Sequence, residues 1–320
     1  MANIFKYTYN VLFLNNWEEN IYFRHLLIIS FAIIVYYVFK KYVDDTDEIY
    51  KLEGFSQMHP YVFKRNNDCY DDFYLEMFDT IYDNYKRIPL EIENIVKNTE
   101  INEKSKILVL NPNTGLMINE FVKYNYNCCG LESSKDVINY SKQIYPEIFI
   151  EHGNLFDPLV VNNNSFSHII MNNYNLYRYE NKLSLLKNCY YWLQSNGYLI
   201  LHVIDPLTFD TIMPVAKPCL YNNIHNKLNK RIKKCNVKFL GFNYYSEYIF
   251  KNKNNLLLKE KFVDKKTNNT REQEQTFYLE KKEIIEEYAK KAGFILHGKM
   301  KMNKINGDNN QYLYFFEKTQ

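Results

Sequence analysis

Three short apolar runs each lead into residues that could bind a ligand at one edge of a sheet. The run 106–110 is followed by the turn Asn111-Pro-Asn-Thr-Gly115, and the run 128–132 ends in Glu132. The run 148–151 leads into Gly153-Asn-Leu, which offers an amide and an apolar side chain. A strand, a tight turn and a helix start favour a negatively charged ligand, and a carboxylate about twenty residues further on can accept the hydroxyls of a ribose. The spacing of these three strand ends predicts a site that binds a nucleoside.

The elements that must position these residues alternate between apolar runs and amphipathic segments. We predict strands over 106–110, 128–132, 148–151, 167–171 and 198–204, and helices over 116–125, 134–143 and 181–193, the last ended by Asn196-Gly197. This alternation predicts an α/β fold with a doubly wound, mostly parallel sheet and helices on both faces. His202, inside the strand 198–204, is expected to be a hydrogen-bonded core residue.

Helical and β-rich segments flank this alternating region. An amphipathic, aromatic-rich helical stretch begins at about residue 61, and a second helix, opened by Pro89, covers 89–99. Between 207 and 280 the alternation stops, and strand-like runs over 237–251, 255–263 and 271–279 predict a β-rich insertion before the last helix, 282–292. Two final strands, 294–302 and 311–318, are expected to form a hairpin around Gly307.

The composition excludes several classes of protein. The chain has 320 residues and a net charge of +3, which argues against a polycationic nucleic-acid coat, and no strong nucleic-acid signal is present. A hydrophobic content of 46% excludes wholesale disorder. The six cysteines form no C-x-x-C pair and none has a histidine at ligand spacing, so we expect reduced thiols and no metal site.

An apolar segment near the N-terminus predicts a membrane anchor. Residues 26–39 carry no charge, and the run extends back to Ile21 when Arg24 is allowed to reach the interface, which predicts an anchor over about 21–41. The expected organisation is an N-terminal segment 1–42, a tether 43–60 and a domain 61–320. The lysines after the span predict a single-pass protein whose C-terminal domain faces the cytoplasm. The alternative is a buried core helix. The basic patch 227–234 could contact phospholipid headgroups or form a solvated helix face.

The strand ends resemble those of the class I S-adenosylmethionine-dependent methyltransferases, in particular the small-molecule type. Residues 107–115 lie where that family has its first strand and G-x-G-x-G turn, Gly130-Leu-Glu132 matches its ribose-binding strand end, and Gly153-Asn154-Leu155 matches its adenine loop. Residues 195–201 give the closest match. The resemblance covers about 65–205 well and 271–318 weakly, and it implies a Rossmann-like sheet.

The resemblance also implies a cofactor, S-adenosylmethionine, and the residues that contact it. These are Asn111, Asn113, Gly115, Glu132, Asn154, Leu155, Asn172 and Tyr74. No catalytic residue is assigned, because the sulfonium is a strong leaving group and in-line positioning supplies most of the catalysis. The methyl acceptor is not identified, and membrane lipid is the other expected partner.

Four positions depart from the family pattern. Val109 replaces an acidic residue, Asn111 and Asn113 replace two glycines, and Asn154 replaces an acid. Asparagine tolerates positive φ better than other non-glycine residues, so the turn can still form. The departures leave a second interpretation open, a catalytically silent protein of the same fold that acts as a membrane-tethered interaction or scaffold protein.

Overall fold

The computed structural model describes residues 25–38, 59–217, 231–252 and 254–319, which fall into two compact units, 1–54 and 55–320. In the first unit the described part is one helix, α1, residues 25–38. Its 14 residues extend about 21 Å, against about 30 Å of bilayer hydrocarbon. Among the described residues, no helix combines the length and apolar character needed to cross a membrane. The ends of the predicted span 21–41 and most of the tether 43–60 lie outside the described residues.

The second unit contains two sheets and seven helices in its described part. The strands are β1 Tyr61–Arg65, β2 Lys106–Leu110, β3 Asn127–Glu132, β4 Phe149–His152, β5 Phe166–Met171, β6 Leu193–Ile204, β7 Lys234–Lys238, β8 Phe242–Phe250, β9 Asn255–Asp264, β10 Thr270–Tyr278, β11 Phe294–Lys301 and β12 Gln311–Lys318. The helices are α2 Asp72–Ile81, α3 Asn84–Thr99, α4 Leu116–Lys123, α5 Lys135–Ile144, α6 Lys182–Trp192, α7 Lys282–Ala292 and α8 Asn303–Asn306.

The central sheet has seven strands in the order β11-β12-β6-β5-β2-β3-β4. The five strands from β6 to β4 are parallel, and β12 and β11 add an antiparallel edge. Ile107, Leu108, Val109 and Leu110 are successive and all at most 1% exposed. Successive strand residues point to opposite faces, so both faces of the sheet are covered at β2. The predicted α/β fold with a mostly parallel sheet is confirmed.

The second sheet has five strands in the order β1-β10-β9-β8-β7. Burial alternates along β10, so one face is buried and the other faces solvent. The buried face packs against α2, where the Phe73 ring meets the Phe262 ring with a centroid separation of 5.2 Å. Four of its strands, β7 to β10, lie in the predicted β-rich insertion. The contact with α2 means that this sheet covers one side of the domain.

Several predicted element boundaries are wrong. Residues 61–65 form β1, which pairs in parallel with β10, and the expected helical stretch begins only at Asp72. Helix α3 begins at Asn84 and contains Pro89, because Asp83 at φ 52° makes the break between α2 and α3. The run 237–251 is divided into β7 and β8 by the turn at Gly241.

The predicted end of the helix 181–193 is also wrong. Helix α6 ends at Trp192, and Asn196 and Gly197 lie inside β6. A Cβ at Gly197 would lie 2.9 Å from the carbonyl oxygens of Gln194 and Ser167, so the glycine permits a close approach of two backbones. The expected hairpin loop around Gly307 contains the short helix α8. Most of the basic patch 227–234 lies outside the described residues, and Lys234 begins β7.

Candidate functional site

The turn after β2 has left-handed backbone at alternate residues. The φ angles are 49° at Asn111, 55° at Asn113 and 82° at Gly115. The Asn111 N–H donates to the Leu131 carbonyl over 3.0 Å, which ties the turn to β3. The two asparagines thus take the backbone conformation that glycine adopts most easily, at the positions where the resemblance expects glycine. The turn forms although two of its three glycines are replaced.

Glu132, at the end of β3, presents one carboxylate oxygen to this turn. Its Oε1 accepts hydrogen bonds from the N–H groups of Ser133 and Ser134 at 2.8 and 2.9 Å. Its Oε2 accepts one long bond, 3.4 Å, from the Asn111 amide. The backbone donors therefore hold the carboxylate in place while Oε2 keeps capacity for a further donor.

A tyrosine that the sequence analysis did not identify covers this pair. The Tyr179 hydroxyl donates to Asn111 Oδ1 over 2.8 Å, and its ring meets the Phe156 ring edge-on at 5.4 Å between centroids. Asn175, in the same loop, donates from Nδ2 to the Asn111 carbonyl over 2.8 Å. No sequence motif predicts a role for Tyr179. It contacts the turn only because the loop that follows β5 folds back over it.

A buried polar cluster joins the turn to α2 and α3. Asp79 accepts hydrogen bonds from the Thr114 hydroxyl at 2.7 Å and from the Asn84 amide at 2.6 Å. Burial raises the pKa of Asp79 to about 6. Arg87 bonds to Glu91, Asn84 and Asn173. The helices before the sheet are therefore anchored to the turn by charged and amide groups rather than by apolar packing alone.

Of the remaining predicted site residues, three lie at or after the ends of the central strands and one contacts the second sheet. Asn172 is buried beside Met117 and donates to its Sδ over 3.5 Å, and Leu155 is buried with its carbonyl bonded to Asn188 at 2.9 Å. Asn154 is exposed, and its Oδ1 accepts from the Phe156 N–H at 3.0 Å. The Tyr74 hydroxyl is directed to the second sheet, where it donates to Glu260 over 2.8 Å. These contacts connect Tyr74 to the covering sheet and not to the turn.

One polar atom in the turn lacks a partner. Asn113 is 3% exposed and its Nδ2 makes no hydrogen bond. An unpaired buried donor is unfavourable, and it is a natural partner for an acceptor oxygen of a ligand. With Glu132 Oε2 as acceptor and Asn113 Nδ2 as donor, the residues present fit the nucleoside and amino-acid groups of S-adenosylmethionine.

Comparisons with solved structures support the same fold. The chain is similar to an S-adenosylmethionine-dependent methyltransferase from Clostridium acetobutylicum, with TM-score 0.58 and 15% identity over 77% of this chain and 96% of that chain. It is similar to the S-adenosylmethionine-bound amino pentose methyltransferase CalS10 from Micromonospora echinaspora (TM-score 0.52, 13% identity, 74% and 91% coverage). The sugar N-methyltransferase KedS8 from Streptoalloteichus gives TM-score 0.55 and 12% identity over 73% and 87%.

Sequence comparison gives no match. No protein-family model matches the chain, and no curated protein sequence matches it. The chain therefore has the fold of the S-adenosylmethionine-dependent methyltransferases, which confirms the predicted resemblance at the level of structure.

Proposed function

We propose that the protein binds S-adenosylmethionine and transfers its methyl group to an acceptor. The observation that carries this proposal is the turn in which Asn111, Asn113 and Gly115 all have positive φ beside the Glu132 carboxylate. This geometry lets the backbone approach a nucleoside closely, and it supplies an acceptor for ribose hydroxyls. The cofactor supplies the reactive sulfonium, and the chain supplies orientation.

Calorimetric titration of the full-length chain with S-adenosylhomocysteine tests the proposal. We expect binding, and we expect Glu132→Ala to lower the affinity at least about tenfold, because a hydrogen bond to a charged group contributes about 1.5–3 kcal/mol. Glu151→Ala is the matched control, since Glu151 is an exposed carboxylate on the neighbouring strand β4. Equal affinity of the Glu132 variant and the wild type would place the nucleoside elsewhere.

A second candidate is a catalytically silent protein of this fold. The observation that favours it is the direct bridge from Tyr179 through Asn111 to Glu132, which uses the side chains that the cofactor would contact. Under this proposal the chain acts as an interaction or scaffold protein. The same titration separates the candidates, because absence of binding at millimolar S-adenosylhomocysteine supports the silent form.

We further propose that the segment 21–41 attaches the chain to membrane lipid, with residues 61–320 on the cytoplasmic side. Support comes from the apolar side chains of α1, of which Phe31 is 69% and Val38 64% exposed. Exposed apolar area of this kind favours a lipid environment. The full-length chain should resist carbonate extraction, and Ile29→Lys with Ile33→Lys should release it. Release of the wild type by carbonate would contradict the attachment.

The orientation has a separate test. The sequons Asn163-Asn164-Ser165 and Asn268-Asn269-Thr270 should remain without glycan when the chain is expressed in a eukaryotic cell. A glycan on either sequon would place the domain on the opposite side of the membrane.

A further inference from the structure

A small aromatic cavity lies where the second sheet covers the carboxyl ends of the central strands. It measures about 10 Å³. Aliphatic side chains and six aromatic rings line it, and no charged side chain among the described residues does so. The rings are those of Tyr82, Tyr174, Tyr177, Phe209, Tyr248 and Phe277. A space of this size takes one group about as large as a water molecule or a methyl group.

The cavity is adjacent to the proposed cofactor site along the chain. Tyr174 lies two residues after Asn172, and both Asn173 and Tyr174 have positive φ, 54° and 59°. A bulky residue rarely adopts this conformation, and such strained backbone is concentrated at functional sites. Tyr174 is half-buried, whereas Phe209 and Tyr248 are buried, so solvent approaches the cavity more closely at Tyr174 than at the other two residues.

The cavity's surroundings favour a positive charge. Ring faces attract cations, and the Arg231 guanidinium already lies over Phe209, 4.4 Å from its centroid, on the edge of this cluster. Burial and, beyond it, the charge of Glu260 raise the pKa of Tyr82 and Tyr248. Glu260 is 2% exposed and forms no ion pair with any described residue. Its carboxylate accepts hydrogen bonds from the side chains of Tyr74, Tyr244, Gln273 and Gln275.

Other charged groups act on the same rings. Asp308, Arg87 and Asp210 act on Tyr174, and the Lys182 ammonium lies 5.5 Å from the centroid of the Tyr177 ring. Asp210 pairs with Lys217 at 3.0 Å, and Arg87 pairs with Glu91.

Among the described residues, the lining of the cavity provides no side chain suited to act as a base toward a hydroxyl acceptor. A hydroxyl must lose its proton to a base as it attacks, but burial raises the pKa of Tyr174 and Tyr248, so neither hydroxyl ionises to act as a base. His202 packs on Tyr174 at 4.8 Å, yet its Nε2 contacts Gln311 and burial lowers its pKa to about 3. An amine attacks a sulfonium through its lone pair once its proton has left to solvent, so no side chain has to remove a proton during the attack.

Building on the proposed function, we propose that the acceptor is an amine and that its N-methyl group occupies this aromatic cavity. The amine lone pair forms the new N–C bond, the C–S bond breaks, and its electron pair stays on sulfur. The positive charge thereby moves from the sulfonium to the ammonium product. The ring faces and Glu260 stabilise that charge, and any N–H proton of the product leaves to solvent afterwards.

The test uses two probes of the same shape, choline and its neutral isostere 3,3-dimethyl-1-butanol. Calorimetry on the full-length chain should show choline binding about three- to thirtyfold more tightly, the range expected for cation–π contacts. Tyr248→Leu should reduce this preference, whereas Tyr248→Phe, which keeps the ring, should retain it. Tyr245→Leu, on the exposed face of the same strand, is the control.

Equal affinities for the two probes, or no binding of either, would overturn the inference. Should Tyr248→Leu fail to fold, Glu260→Gln replaces it, and an unchanged preference in that variant also overturns the inference. A parallel titration with S-adenosylhomocysteine separates the two proposals. Choline preference without cofactor binding refutes the methyltransferase function and leaves the cavity only as a site that binds amines. Cofactor binding without choline preference refutes the amine acceptor alone.

Discussion

Removal of the Tyr179 hydroxyl should strengthen cofactor binding. In the free protein this hydroxyl donates to Asn111 Oδ1 over 2.8 Å, and the Asn111 amide in turn donates to Glu132 Oε2 over 3.4 Å. A ribose hydroxyl that bonds to Glu132 Oε2 competes with the Asn111 amide for the same oxygen, and any movement of that amide breaks this chain of hydrogen bonds. Tyr179→Phe removes a bond worth about 0.5–1.5 kcal/mol, so the affinity for S-adenosylhomocysteine should rise about two- to twelvefold.

The assay compares calorimetric dissociation constants of wild type and Tyr179→Phe, with the melting temperature recorded beside them. The variant should melt at a lower temperature because Asn111 Oδ1 loses its donor. Tyr191→Phe is the control, since Tyr191 is 38% exposed on α6 and far from the turn in sequence. Weaker cofactor binding by Tyr179→Phe would refute the reasoning, because it would mean that the hydroxyl contacts the cofactor itself.

Three further predictions concern the turn and the buried charges. Asn111→Gly should tighten cofactor binding, because glycine adopts φ 49° freely and leaves Glu132 Oε2 unobstructed; weaker binding in calorimetry would make the Asn111 side chain a ligand. The pKa of Asp79 is about 6 in the folded protein and about 3.8 in the unfolded chain. The protonated carboxyl therefore stabilises the fold below about pH 3.8, and this contribution is lost as the pH rises through about 6. Asp79→Asn should therefore remove about 2 kcal/mol of the stability difference in urea unfolding between about pH 4 and pH 7, and an unchanged difference would contradict the shift. Lys182→Met should destabilise the chain by about 3 kcal/mol in urea, because fully buried Lys182 holds Glu280 at 2.6 Å, while exposed Lys281→Met should have little effect.

Local sequence signals predicted most of the central sheet. The runs 106–110 and 311–318 match β2 and β12 at both ends, and Glu132 ends β3 as expected. These strands are buried on both faces of the sheet, and their runs of consecutive apolar residues follow directly from that burial. The positive φ of Asn111 and Asn113 was also foreseeable, because the preference belongs to the residue itself and needs no distant partner.

The second sheet and its contacts were not foreseeable to the same degree. Residues 61–65 carry no signal of their own for pairing with 270–274, and the pairing joins segments about two hundred residues apart. Tyr74, predicted to lie over the cofactor, bonds instead to Glu260, 186 residues away. An aromatic residue on an amphipathic helix indicates that it will be buried, but the periodicity does not say against which element.

The sequence alone determined the class of the fold, the three strand ends of the candidate site, and the asparagines of the turn after β2. Only the tertiary structure decided which side chains meet there. Tyr179 reaches Asn111 across 68 residues, and Thr114 bonds Asp79 across 35. The cavity combines the ring of Tyr82, which follows α2, with rings from the loops after β5 and β6 and from the second sheet. Strands and turns follow from local spacing and backbone preference, whereas contacts between distant segments depend on how whole elements pack, and no periodic pattern in the sequence records that packing.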